Sequence, residues 1–227
     1  MNSKKSLQEK DCQRNSKCWY KDVCSQTCSV SCARFIEMEF LFENSGLPES
    51  KRFPVKLEAT DDYEQYLRLN DIKADIVDFV KAGKNLLIAS HNTGNGKTSW
   101  AIKLLMKYFD EIWAGNGLKV RGIYVHVPTL LLKLKNFQDP LSEEYRKNLI
   151  NCDLVIWDDI ACTELTMYDH SNMFALLDVR ILNEKANIFT SNVVVKEEYE
   201  EALGSRIASR IWNTSEIIIF NGKDMRA

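Results

Sequence analysis

Breakers of regular structure are scarce in this chain: four prolines and nine glycines in 227 residues, far fewer than a collagen-like or low-complexity chain carries. Neither sign of charge prevails. Lys and Arg total 30 against 32 Asp and Glu, a net charge of −2, so any contact with nucleic acid must rest on a local patch rather than on a general basic field. No apolar run approaches the roughly 18 to 20 residues that cross a bilayer, and the polar start MNSKKSLQEK lacks the apolar core of a signal peptide. The expectation is a cytoplasmic protein without a membrane partner. What is present, 45% hydrophobic and 27% charged residues, is ordinary for a globular fold with a packed core and sets disorder aside.

Cysteine is ordinary in number but not in placement. Cys12, Cys18, Cys24, Cys28 and Cys32 fall within the first 32 residues, whereas Cys152 and Cys162 lie far away. In a reducing cytoplasm such density favours a metal over disulfides. Cys18, Cys24, Cys28 and Cys32 are separated by five, three and three residues, and four thiolates can surround one Zn²⁺ tetrahedrally, with Cys12 as an alternative ligand. The spacing is not the familiar pair of CxxC knuckles, so reduced cysteines in a partly disordered arm are the competing reading. A unit of about 45 residues buries too little apolar surface to fold unaided, and a metal would supply the missing free energy. The apolar and acidic run FIEMEFLFE that follows is then a helix left over to dock on a partner.

NSGLPESKRFPVK, with two prolines, a glycine and several polar residues, reads as a linker. This divides the chain into a cysteine-rich unit at 1–47, a linker at 48–60 and a larger domain at 61–227. Helical spacing of Tyr66, Leu69, Ile72, Ile76, Phe79 and Val80 predicts one helix from Asp61, ended by Gly83. Five short apolar runs follow, Leu86 to Ala89, Ile123 to Val127, Leu154 to Trp157, Ile188 to Thr190 and Ile217 to Phe220. Between them lie helix-compatible stretches at Thr98 to Trp113, Pro128 to Phe137, Ser142 to Ile150, His170 to Glu184 and Lys196 to Ile211. Such alternation predicts an α/β fold with a five-stranded, mainly parallel sheet covered on both faces.

The first strand runs into IASHNTGNGKTSW, whose Gly96-Lys97-Thr98 ends a Walker A loop between a strand and a helix. Glycines let backbone N–H groups face phosphate oxygens, a lysine reaches the β and γ phosphates, and a hydroxyl serves Mg²⁺. Gly94, Gly96, Lys97 and Thr98 fill those places, with Thr93, Asn95 and Ser99 completing the nucleotide-binding loop. The departure is His91, where the first glycine of the motif is expected. Further along, LVIWDD, whose Asp158 lies sixty-one positions after Lys97, is what a Walker B strand looks like. Asp158 would hold Mg²⁺ together with Thr98, and Asp159 would polarise the attacking water. Asn192, just after IFTS, is placed to orient that water. Arg206 and Arg210 share a helix face in GSRIASRIW, where a guanidinium can reach the γ phosphate of a neighbouring subunit.

These stretches together, KNLLIASHNTGNGKTSWAIKL, LVIWDDIACTELTMY, IFTSN and LGSRIASRIW followed by NGKDMR, resemble the DnaC/DnaI group of replicative helicase loaders, and most of all its phage-encoded members. These are relatives of the IstB transposition ATPases within the AAA+ class of P-loop NTPases. The resemblance covers about residues 60 to 227. It implies ATP or ADP with Mg²⁺ at Lys97, Thr98 and Asp158, slow hydrolysis because Asp159 stands where AAA+ proteins more often carry Glu, sensor roles for Asn192 and Arg226, and an arginine finger at Arg210 with Arg206 beside it. It also implies that the helical lid most AAA+ proteins append after the core is missing. Single-stranded DNA contacts are implied at Thr166 and Tyr168, with Lys133 and Lys135 adding phosphate neutralisation. DnaI-type loaders carry a zinc-binding, helicase-binding N-terminal unit, which matches the cysteine cluster.

The implied function is ATP-dependent loading of a hexameric DnaB-type helicase onto single-stranded DNA, in the bacterial host cytoplasm if the protein is phage-encoded, with self-association on helicase or DNA. An IstB-like transposition ATPase, a helicase-sequestering adaptor with weak ATPase and a P-loop kinase are the alternatives. The cysteine cluster argues against the first of these. The intact Walker residues argue against an inert adaptor, and no acceptor site or lid supports a kinase.

Overall fold

The computed structural model describes residues 18, 32–52, 61–134, 140–162 and 165–222. Its centre is a five-stranded sheet of β1 (Asn85–Ala89), β2 (Gly122–His126), β3 (Leu154–Asp158), β4 (Ala186–Ser191) and β5 (Ser215–Ile219). All neighbours are parallel and the order is β2-β3-β4-β1-β5. The five apolar runs all become strands, with ends moved by up to two residues. Apart from the outer β5, the strands are buried along nearly their whole length, as a sheet covered on both faces requires.

Before the sheet come α1 (Ala33–Glu43), a 3₁₀ turn (Glu49–Lys51), α2 (Tyr63–Ala74) and α3 (Ile76–Lys81). The helices between and after the strands are α4 (Lys97–Ile112), α5 (Val127–Leu134), α6 (Pro140–Asn151), α7 (Met167–Leu182) and α8 (Lys196–Trp212). The single helix expected from Asp61 is two, because Asp75 leaves helical geometry at φ −106, ψ 28. Successive side chains of a strand point to opposite faces. Leu86 and Ile88 therefore meet α1 to α4, while Leu87 and Ala89 meet α5 to α8.

α1 departs from expectation. Instead of standing free for a partner, it buries Phe35, Met38, Leu41 and Phe42, and the Phe42 ring meets that of Phe109 on α4 edge-on at 5.6 Å. β2 is an edge strand with an N–H to satisfy, and Tyr124 N donates to Ser45 O just beyond α1 at 2.7 Å. The helix and the turn after it are part of the sheet domain's own core.

At the opposite end of the strands, Arg180 is fully buried. Its guanidinium donates to the carbonyls of Leu149, Cys152 and Ala186 at 2.6 to 2.9 Å and to Asn187 Oδ1 at 2.7 Å. Asn187 in turn donates to Asn85 Oδ1 and accepts from Trp157 Nε1, so one polar network crosses β1, β3 and β4. In α8 the helix breaks at Gly204, at φ 76 and ψ 151; a Cβ there would lie 2.7 Å from His170 Nε2. Arg206 and Arg210 fall in the second half. Among the described residues no helix is long and apolar enough to cross a membrane.

Candidate nucleotide site

β1 ends at Ala89, α4 begins at Lys97, and the loop between them is the phosphate loop. Gly94 at φ 73 and Gly96 at φ 93 occupy left-handed backbone that only glycine adopts freely. Gly96 is the N-cap of α4, so the unpaired N–H groups of that helix start open onto the loop. His91 has no positive φ among the residues that do, which is why a side chain is tolerated where the motif expects glycine; it is exposed. Thr93 is exposed and Ser99 half-buried.

Lys97 is 6% exposed. Its ammonium donates to Asn92 O at 2.7 Å, Asn95 Oδ1 at 3.3 Å and Ser90 O at 3.5 Å. Asn95 is itself held by a bond to Ser90 Oγ. The loop is thus gathered around a buried cation by neutral oxygens, which phosphate oxygens can replace.

Sheet order brings the acids to this loop. β4 lies between β1 and β3, and Tyr124, Asp158 and Thr190 share the strand face that α4 covers, two residues beyond Ile156 and Ile188 in the latter two cases. Asp158 is 2% exposed. Its Oδ1 accepts from Thr98 Oγ1 at 2.7 Å and Thr190 Oγ1 at 2.6 Å, and its Oδ2 accepts from the Tyr124 hydroxyl at 2.5 Å. Burial, and then the Asp158 charge beside it, push the Tyr124 phenol well above its usual pKa, so it stays a donor. Asp159 turns out of the strand at φ 58, held there as its N–H donates to Thr190 Oγ1 at 3.0 Å. Its carboxylate is 3.6 Å from His126 Nε2 at the end of β2, and His126 Nδ1 bonds Thr129 Oγ1 at 2.9 Å. Asn192 follows β4, half-buried. A cleft of about 690 Å³ opens over Thr98, Tyr124, His126, Asp158 and Asp159, with Lys51 and Lys103 on its flank.

A hydroxyl and a carboxylate adjoining at the head of α4 are hard oxygen donors that suit Mg²⁺. Bound there, the ion would neutralise phosphate charge. Tyr124, His126 and Thr190 escaped the sequence reading, since an aromatic and a threonine inside apolar runs look like strand filler. The histidine at the strand end was the one available signal.

Elsewhere the expected residues scatter. Arg206 is exposed, but Arg210 pairs with Asp178 of α7 at 2.5 Å and lies over the Phe174 ring at 5.5 Å. Thr166 caps α7, its hydroxyl exchanging bonds with Asp169. Tyr168 is half-buried, and Lys133 is exposed with its ammonium 5.4 Å from the Tyr145 ring centroid. Cys12, Cys24, Cys28, Lys135 and Arg226 lie outside the described residues. Among the described residues, Cys18 and Cys32 included, no three potential ligands cluster for a metal.

Residues 56–227 match the family described as IstB-like ATP binding protein. Among solved structures the fold is similar to the DnaC helicase loader, at 18% identity and TM-score 0.61, over 74% of this chain and 94% of that one. It is similar to DnaI at 20% identity and TM-score 0.61, over 78% and 93%. A replication initiator DnaA bound to AMPPCP and single-stranded DNA is similar at 14% identity and TM-score 0.59, over 74% and 49%. No curated protein matches the sequence.

Proposed function

The chain belongs to the IstB-like ATP binding proteins, and on that premise we propose that it is an ATP-dependent loader of a hexameric, DnaB-type replicative helicase onto single-stranded DNA. The observation that carries the proposal is the meeting of Lys97, Thr98, Asp158 and Asp159 at one end of β1 and β3, on a fold similar to those of the DnaC loader and DnaI.

In this reading ATP lays its β and γ phosphates against the loop N–H groups at the start of α4. Lys97 exchanges its carbonyl partners for phosphate oxygens. Asp158, fixed by Thr98, Thr190 and Tyr124, holds Mg²⁺ with the Thr98 hydroxyl. Asp159 orients the attacking water and accepts its proton, His126 steadies Asp159, and Asn192 lies across from it. Arg226 serves as a second phosphate sensor. Arg206 is the finger for a neighbouring subunit, because Arg210 is already spent on Asp178. Replacing Asp159 by Asn is expected to lower phosphate release at least about 100-fold while ATP still binds; equal losses of both would remove the base assignment. Mixing Lys97→Ala and Arg206→Ala proteins, each inactive alone, is expected to restore turnover in the presence of helicase or DNA. No recovery would mean that Arg206 does not act in trans.

The cysteine-bearing arm up to Cys32 is the zinc-holding, helicase-gripping part, and α1 belongs with the ATPase core. Lys133, Lys135 and Tyr168 contact single-stranded DNA, while Thr166 shapes their neighbourhood through its helix cap. Co-purification with the cognate helicase tests the whole, with and without ATP, using the full chain and a deletion ending at residue 31. A complex that needs the arm is expected. No complex under any condition would favour the reading that the family name suggests, a transposition ATPase, and duplex DNA with a transposase would then be the partners to test.

A further inference from the structure

Residues 44 to 52, between α1 and the end of the 3₁₀ turn, grip one residue of the sheet domain, Tyr124, at three points, two on its backbone and one on its side chain. Ser45 O accepts from Tyr124 N at 2.7 Å. Gly46, at φ +69, lies so near that a Cβ would stand 3.0 Å from Tyr124 O. The Lys51 ammonium is 3.5 Å from the Tyr124 hydroxyl and 5.4 Å from its ring centroid. The same hydroxyl donates to Asp158 Oδ2 at 2.5 Å. Since Thr98 and Thr190 both address Oδ1, Tyr124 alone among the described residues holds the second oxygen.

We propose that Tyr124 is a positioning residue that couples the segment after α1 to the metal-nucleotide site: residues 44 to 52 seat Tyr124, and Tyr124 sets the orientation in which Asp158 receives Mg²⁺. This rests on the metal role given to Asp158 above. A carboxylate held by one oxygen only can rotate, and loss of such an outer hydrogen bond weakens metal binding by about tenfold or more. The coupling is reciprocal, because a free energy that links two sites acts in both directions. A change that unseats residues 44 to 52 from Tyr124 would weaken metal-assisted nucleotide binding, and bound metal-nucleotide would steady their hold on it.

The test is a Mg²⁺ titration of fluorescent ATP-analogue binding to the full chain, alongside binding of the same analogue in EDTA. Tyr124→Phe keeps the ring and its packing but removes the donor. It is expected to raise the Mg²⁺ concentration for half-saturation about tenfold, with binding in EDTA unchanged. Lys51→Met is expected to shift the titration in the same direction by a smaller factor, and to add nothing in the Tyr124→Phe background, since the two act through one bond. An unchanged Mg²⁺ titration in Tyr124→Phe overturns the proposal, as does a Lys51→Met shift of full size in the double variant. If the native chain binds the analogue with no dependence on Mg²⁺, the metal role of Asp158 falls and the inference falls with it.

Discussion

Lys97→Ala is expected to cut ATP turnover to below about a hundredth of the native rate, in line with removal of a single preorganised charge from a water-poor phosphate site. The ammonium is buried, and Asn92 O, Asn95 Oδ1 and Ser90 O are among the oxygens it donates to. A charge-assisted bond from a buried ammonium to a phosphate oxygen is stronger than one to a neutral carbonyl, so the ammonium favours the arriving phosphate. The loop around it has other supports. Asn92 Nδ2 donates to Gly222 O at 3.0 Å, and buried Asp62 accepts the N–H groups of Asn221 and Gly222 at 2.7 and 2.9 Å. Alanine should therefore leave the melting temperature near the native value while phosphate release collapses. Turnover that survives Lys97→Ala would mean that this loop is not the nucleotide site.

Arg180→Ala is expected to destabilise the chain by about 3–5 kcal/mol, the scale found when a buried, fully bonded charge is removed and its partners are stranded. The loss is structural and remote from the nucleotide. The carbonyls of Leu149, Cys152 and Ala186 would be left in a closed interior, and Asn187 would lose one of the bonds that tie β4 to its neighbours. Burial pushes the Cys152 thiol up to about 11 even with Arg180 beside it, so that cysteine stays protonated and acts as packing. Urea unfolding of the variant measures the effect directly. A loss under about 1 kcal/mol would show that water or a rearranged side chain satisfies the carbonyls.

Much of the nucleotide site was legible because its signals are local. The glycines that permit positive φ lie beside the lysine and threonine that open α4, and the two acids at the end of β3 are adjacent, so each motif is complete within a few residues. The helix-like run from Phe35 to Glu43 was visible too, but its destination was not. An amphipathic stripe looks the same whether it meets its own core or a partner, and here Phe109 and the open edge of β2 took it. The two arginines were equally ambiguous, since helical spacing sets their common face and not the presence of Asp178 opposite one of them.

From the sequence alone came the strand and helix periods, and with them a parallel α/β sheet bearing a phosphate loop and a paired-acid strand. Only the tertiary structure decided which strands are neighbours. Placing β4 between β1 and β3 and leaving β2 at the edge puts Thr190 and Tyr124 on Asp158, His126 on Asp159, and the segment after α1 on Tyr124. Backbone periodicity is written in neighbours along the chain, whereas strand order comes from side-chain packing between residues tens of positions apart, which no local pattern encodes.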